Sequence, residues 1–372
     1  MGSLSALLYN PIFLTVILIL TIIHFYQIYP MDTTRLLDTK KANWPMLLLV
    51  IAVTLFLGLR PISGRAFGDT STYAAVYMLM TDDMLLPDYT RGDWLFAFMM
   101  YSCSKVMSVQ YFFLLIEVLY MIPVYWACRR LTEENSTTLM FFCLGAFSFF
   151  SYGVNGIRNG AAASVFILAL SFLKGDRPRD KILFLIISFI SYNLHHSMAL
   201  PIMAALAAYF IRNPKIMFYF WGASIVASLT IGGSVSEIFS GLGFDDRLNT
   251  YISGDTVDDL VVKDVFRWDF LLYSAMPIVL GWYVIFRRRI YTKTYAILLG
   301  TYIYANAFWV MVIRAAFSNR FAFLSWFLYP IVLAYPMLVM PVWKDKPGLK
   351  VGIIMVGHLA FTILMWYLTG RF

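Results

Sequence analysis

Long apolar runs separated by short basic clusters organise this chain from end to end. A helix that crosses a bilayer needs about 20 predominantly apolar residues. Runs of that kind fall near 4–29, 43–59, 109–128, 137–152, 159–173, 181–194, 197–211, 215–231, 268–286, 294–312, 320–340 and 350–368. The pattern predicts an all-α polytopic membrane protein with about 12 spans, in a range of about 11–14. The stretch 94–107, WLFAFMMYSCSKVM, is apolar but too short, and its length suits an interfacial or re-entrant helix. A single membrane domain over 1–372 is therefore expected. It carries one outer loop over 60–108, which holds this helix, and a second long outer loop over 232–267.

The basic residues orient the array. With 94–107 left out of the spans and both termini outside, 18 of the 29 Lys and Arg collect in six short loops: 35–41, 129–130, 174–181, 212–215, 287–293 and 344–350. Short cytoplasmic loops are enriched in Lys and Arg, so these six face the cytoplasm. Letting 94–107 span would invert every later loop and break the alternation.

Composition narrows the class. The chain is 60% hydrophobic and 13% charged, with a mean hydropathy of +0.72. Soluble domains carry about twice that share of charge, so soluble nucleotide-binding enzymes, nucleic-acid modules and disordered scaffolds are excluded. The net charge of +8 then reports topology, not nucleic acid. Cys103, Cys128 and Cys143 lie in apolar segments without CxxC spacing and argue for neither a disulfide framework nor a metal site. The first apolar run is too long for the core of a cleavable signal peptide, so none is expected.

The candidate chemistry is what this topology leaves outside. Arg60, Arg65, Asp69, Arg158, His195, His196, Arg314 and Arg320 all fall at outer span ends or in outer loops. Positive-inside bias depletes such places of arginine, so five arginines there point to a shared anionic ligand. Guanidinium suits phosphate because its planar fork donates paired hydrogen bonds and stays charged in a partly dry site. Snorkelling to lipid headgroups accounts for any one of them singly. Arg158, in SYGVNGIRNGAAAS, reads as lying in a tight connection between two spans, and Arg158, Arg314 and Arg320 are expected to have no acidic partner.

An imidazole titrates near neutral pH, as a general base requires, so the His195-His196 pair is the candidate base. A structural role is the ordinary alternative for such a pair. Asp69 is the outer carboxylate, with a helix-capping role open to it because a helix is expected from about Thr70. The acids of 232–267, among them Asp245, Asp246, Asp255, Asp258, Asp259 and Asp264, lack the ligand rhythm of a calcium loop. Glu117, an acid inside a predicted span, has no identifiable basic partner and is left unassigned.

At these residues the chain resembles the EpsG-type family of Wzy-like polysaccharide polymerases. GLRPISGRAFGDTSTY, with Arg60, Asp69 and Tyr73, is similar to the family's first signature. IRNGAAASVFILALSFLKGDRPRDK, followed by NLHHSMALP, is similar to its central one, through Arg158, Gly160, His195 and Ser197. Arg314 and Arg320 match the late arginine pair. The chain departs in carrying Asn159 where glutamine is usual and in doubling the histidine; the spacing to Ser197 favours His195.

The resemblance implies a metal-independent glycosyltransferase of GT-C-like architecture, without a cofactor, in the bacterial inner membrane. Its active site faces outward. It moves a growing glycan from undecaprenyl diphosphate onto a hydroxyl of the next lipid-linked repeat unit. The site it implies has His195, Arg158 and Asp69 as catalytic residues. Arg60, Arg65, Arg158, Arg314 and Arg320 bind the diphosphate, and His196, Asn159 and Tyr73 position the acceptor. The bilayer, the lipid-linked oligosaccharide, and a chain-length regulator and flippase of the same pathway are the implied partners. On residues alone, a flippase or a ligase-like transferase for the same lipid-linked glycan stays open, although a transporter should show midplane charges and an internal repeat.

Overall fold

The computed structural model describes residues 5–38, 44–90, 92–240, 266–314 and 319–369. Every regular element among them is a helix. Five helical stretches are long and apolar enough to cross a membrane: Ala6–Ile28, Val109–Leu144, Trp268–Arg287, Arg320–Val339 and Pro347–Leu368. The chain is thus a polytopic membrane protein. It divides into two compact units, 1–195 with 334–372, and 196–333.

The first unit opens with α1 (Tyr9–Ile28), α2 (Thr33–Asp38), α3 (Trp44–Gly58), α4 (Gly64–Phe67), α5 (Thr70–Thr81) and α6 (Trp94–Ser104). It continues with α7 (Val109–Thr132), α8 (Ser136–Leu144), α9 (Phe149–Val154), α10 (Ile157–Phe172) and α11 (Pro178–Leu194). The parallel pair α7 and α10 forms its centre. Ser164 Oγ donates to the Tyr120 carbonyl, and further along the two helices Arg130 lies over the Phe172 ring. Neighbours run antiparallel to this pair. Gly58 of α3 rests on Leu114 and Glu117 of α7, where a Cβ would collide, and Ser191 of α11 donates to the Ala162 carbonyl at 2.7 Å.

The second unit holds α12 (Ala199–Phe210), α13 (Pro214–Ser240), α14 (Trp268–Trp282), α15 (Lys293–Met311) and α16 (Asn319–Trp326). Its core is aromatic and internally hydrogen-bonded. Trp326 Nε1 donates to Ser274 Oγ at 2.7 Å, and the Tyr273 and Tyr329 rings stack with centroids 4.2 Å apart. Trp221 Nε1 donates to Asn306 Oδ1, whose amide nitrogen in turn donates to Ser325 Oγ. Lipid supplies no hydrogen-bonding partner, so such polar groups must find one another inside the bundle. Helix α17 (Tyr329–Val339) leads back to the first unit, which α18 (Pro347–Thr369) completes.

Three sequence expectations change. The apolar run 137–152 is broken, with α8 ending at Leu144 and α9 starting at Phe149. Helix α18 satisfies the carbonyls at that break: His358 Nε2 donates to Phe142 O at 3.1 Å and Thr362 Oγ1 to Gly145 O at 2.8 Å. Segment 60–108 holds the helices expected from about Thr70 and within 94–107, as α5 and α6, and a third, α4, besides. Of these, α5 and α6 run side by side in the same direction, and Lys105 at the end of α6 ties onto the end of α5 through the Met80 and Thr81 carbonyls and Asp83. That hydrogen bond holds the Asp83 carboxyl below its ordinary range. Helix α13 continues to Ser240, past the expected end at 231. The aspartates from Asp245 to Asp264, and Lys40 and Lys41, lie outside the described residues.

Candidate active site

Arg158 sits in the first turn of α10, not in the connection before it, because that helix begins at Ile157. Gly160 makes this start feasible, since a Cβ there would strike the Tyr152 carbonyl. His195 is the C-cap of α11. Its backbone leaves the helix in an extended conformation while its N–H still donates to Ser191 O at 3.1 Å. The ends of α10 and α11 therefore bring Arg158 and His195 together, and a third residue joins them.

That residue is Asp93, the N-cap of α6. Its Oδ2 lies 2.8 Å from an Arg158 guanidinium nitrogen and 3.1 Å from His195 Nδ1. The Asp93 side chain is only 5% exposed, against 24% for Arg158 and 12% for His195. Its backbone is left-handed at φ 70°, a conformation aspartate tolerates better than most residues. An N-cap aspartate usually binds the amides of its own helix. This one makes no such bond, and its carboxylate is turned to the two cationic partners instead. Next to it, Trp94 Nε1 donates to Asn193 Oδ1, and Asn193 Nδ2 donates to Phe189 O, which ties the start of α6 to the end of α11.

The arrangement has a clear chemical sense. A carboxylate can only accept, so the Asp93 contact puts the proton on Nδ1 of neutral His195 and the basic lone pair on Nε2. The same oxygen holds Arg158 beside that imidazole. Asp93 and His195 are ligand types that a divalent ion accepts, and Arg158 bonds one of the two carboxylate oxygens.

The other predicted residues are placed as follows. Arg60 has no exposed surface; it donates to Leu57 O at 2.8 Å, Val154 O at 3.2 Å and Thr70 Oγ1 at 3.4 Å, with Phe113 5.1 Å from its Cζ. This geometry fastens the end of α3, the start of α5 and the end of α9 to one another, and it leaves no guanidinium face for a ligand. Arg60 also interacts electrostatically with buried Glu117 of α7, so that acid does have a basic neighbour. Arg65 is exposed on α4.

Asp69 is exposed at the N-cap of α5, where its side chain makes no capping bond and its N–H donates to Asn155 Oδ1 at 2.8 Å. Tyr73 meets the Phe96 ring edge-on at 5.8 Å, and Asn159 Oδ1 is buried without a hydrogen-bond partner among the described residues. His196 opens the second unit in a 3₁₀ turn. Arg314, over the Phe266 ring at 5.6 Å, and exposed Arg320 at the start of α16 also belong to that unit.

Two corrections concern the site itself. Arg158 does have an acidic partner, Asp93. Asp93 is also the residue that sequence reasoning missed. Its one signal was an acid directly before the apolar helix, and that signal reads equally well as an ordinary cap.

Gly68 carries the loop that presents Asp69. Its φ is +55°, and a Cβ there would collide with Asn155 Oδ1. Gly68→Ala is expected to break the Asn155–Asp69 contact and lower turnover severalfold while the chain still inserts. Activity per inserted molecule checks this; unchanged activity would detach that loop from the site.

A family model described as the EpsG family matches residues 43–371. No match was found among curated proteins or solved structures.

Proposed function

Because the chain belongs to the EpsG family, we propose that it is a polysaccharide polymerase of the bacterial inner membrane, working at the outer face with twelve spans in a GT-C-like arrangement. In this reading the donor is a glycan on undecaprenyl diphosphate. The acceptor is a sugar hydroxyl of another lipid-linked repeat unit. The bond from the anomeric carbon to the phosphate oxygen breaks, and a bond to the acceptor oxygen forms. The acceptor proton passes to His195 Nε2, and the electron pair leaves with the diphosphate.

The observation that supports this reading most is the join of Arg158 and His195 through one buried oxygen of Asp93. It unites an oriented base with a group that stabilises developing phosphate charge, the two needs of the reaction. Arg158 retains a partly exposed guanidinium beside the positive end of α10, where an anion is favoured. Arg65, Arg314 and Arg320 complete the diphosphate set in this proposal, and Arg60 leaves it for a fastening role. His196, Asn159 and Tyr73 keep their acceptor-positioning roles, and Asp69 orients the acceptor from its loop.

Purified protein given a defined lipid-linked repeat unit, with product length read on a gel, tests the proposal. Chain growth in the presence of a chelator and without nucleotide is the expected result. Translocation without growth would favour a flippase, and activity lost in chelator but restored by magnesium would overturn metal independence. Arg158→Lys is expected to lower turnover by about 10²-fold or more, since an ammonium cannot hold Asp93 and phosphate in the same fork. Normal rates for that variant would remove Arg158 from the chemistry.

A further inference from the structure

The opposite ends of α7 and α10 form a second feature that the polymerase chemistry does not use. Because the two helices run parallel, their C-terminal ends lie together, away from Arg158. A groove of about 450 Å³ opens there, lined by Trp126, Arg129, Arg130, Leu168 and Phe172. Its walls are apolar, and both of its polar residues are cations. Arg130 lies over the Phe172 ring, with Cζ 3.7 Å from the centroid, and its Nε is buried without a hydrogen-bond partner among the described residues. Arg129 lies over Trp126 at 5.5 Å and donates to Tyr125 Oη at 3.4 Å.

Neither arginine is paired with a carboxylate among the described residues. The acid just beyond them, Glu133, is held by Lys174 at 2.7 Å. Lys174 Nζ also donates to the carbonyls of Arg130 at 3.0 Å and Leu131 at 3.4 Å. Those carbonyls are the negative end of α7, which would otherwise repel an anion. Lys174 therefore offsets both the charge of Glu133 and the carbonyl end of α7, and leaves the two guanidinium groups without a carboxylate partner among the described residues.

We infer that this groove binds the headgroup phosphate of an anionic phospholipid of the cytoplasmic leaflet, with an acyl chain along Trp126, Leu168 and Phe172. Charge complementarity selects the anion. The apolar walls select an amphiphile over a soluble phosphate, which would leave Trp126 and Leu168 uncovered. The leaflet follows from the concentration of basic residues in this set of loops. An arginine stacked on an aromatic ring is presented with its edge outward, the edge that forks onto phosphate.

The test is native mass spectrometry of the delipidated full chain, titrated separately with dioleoyl phosphatidylglycerol, dioleoyl phosphatidylcholine and glycerol 3-phosphate. One saturable phosphatidylglycerol adduct is expected, with neither of the other two probes bound at matched concentration. R129Q/R130Q should weaken that adduct about 30-fold. Leu168→Trp, which fills the apolar wall and keeps both charges, should also abolish it, so the inference does not depend on the charge variant folding. Equal binding of phosphatidylcholine, or an unchanged adduct in either variant, would overturn the site. Glycerol 3-phosphate binding as tightly as the lipid would make it a soluble-anion site instead. The readout is lipid occupancy, so it stands or falls apart from the polymerase reaction.

Discussion

Asp93→Asn is expected to lower turnover about 10³–10⁴-fold in a chain that still folds and inserts, the loss known when an aspartate orienting a catalytic histidine is made neutral. The geometry sets the reason. Asp93 Oδ2 takes a hydrogen from His195 Nδ1 and a second from Arg158. An asparagine supplies no negative charge to hold the guanidinium or to favour the proton on Nδ1, and with its amide in the place of Oδ2 both donors would face hydrogens. Either His195 turns over, so that its proton moves to Nε2 and the base is lost, or Arg158 leaves its position beside the imidazole. His195→Ala, which removes the proposed base, should cost about 10²–10⁴-fold. The two losses should not add, because both variants disable one unit. Single-turnover assays on a lipid-linked repeat unit measure both. If Asp93→Asn kept its maximal rate and lost only substrate affinity, Asp93 would be a holder of Arg158 alone, and Asp69 would become the leading base.

The second large effect is on folding. Arg60→Met should destabilise the first unit by about 2–4 kcal/mol, because it removes the buried guanidinium that ties α3, α5 and α9 together. The carbonyls of Leu57 and Val154 would lose their donor as well. Both carboxyl oxygens of Glu117 lack a hydrogen-bond partner among the described residues, and the field of Arg60 acts on them. Arg60→Met combined with Glu117→Leu should recover part of the loss, since replacing a whole buried pair by apolar groups is often neutral. Thermal unfolding in a fixed lipid mixture separates the cases. An Arg60→Met chain that unfolds at the normal temperature yet binds donor poorly would restore the ligand role expected from sequence.

These two residues also mark what could be read from the chain before its structure. Most of the apolar runs, 137–152 and 215–231 excepted, gave helix positions to within a few residues, because lipid solvation makes run length the dominant signal. Arg158 and His195 could be found because an arginine and a histidine at the span ends expected to lie outside are rare against a positive-inside background. Asp93 could not. It precedes an apolar helix, where a capping aspartate is the common case, and its value lies in a left-handed turn that aims the carboxylate away from its own helix. Arg60 misled for the opposite reason. It shares its signature with Asp69 and Tyr73, but the chain folds it under Phe67 and Phe113, and linear position carries no record of burial.

The break between α8 and α9 has a consequence for how the molecule is made. Among the described residues, the side chains that close the carbonyls it opens are His358 and Thr362, more than 200 residues later in sequence. Everything from 196 to 333 is synthesised between the break and the helix that mends it. During that interval α8 and α9 sit in the membrane with two acceptors unanswered, a state that favours retention by the insertion machinery over release into lipid. Maturation of the first unit is thus deferred until α18 has been made. A chain stopped before Pro347 should be recognised and degraded as unfinished, although every residue of the Asp93–Arg158–His195 cluster has already been made.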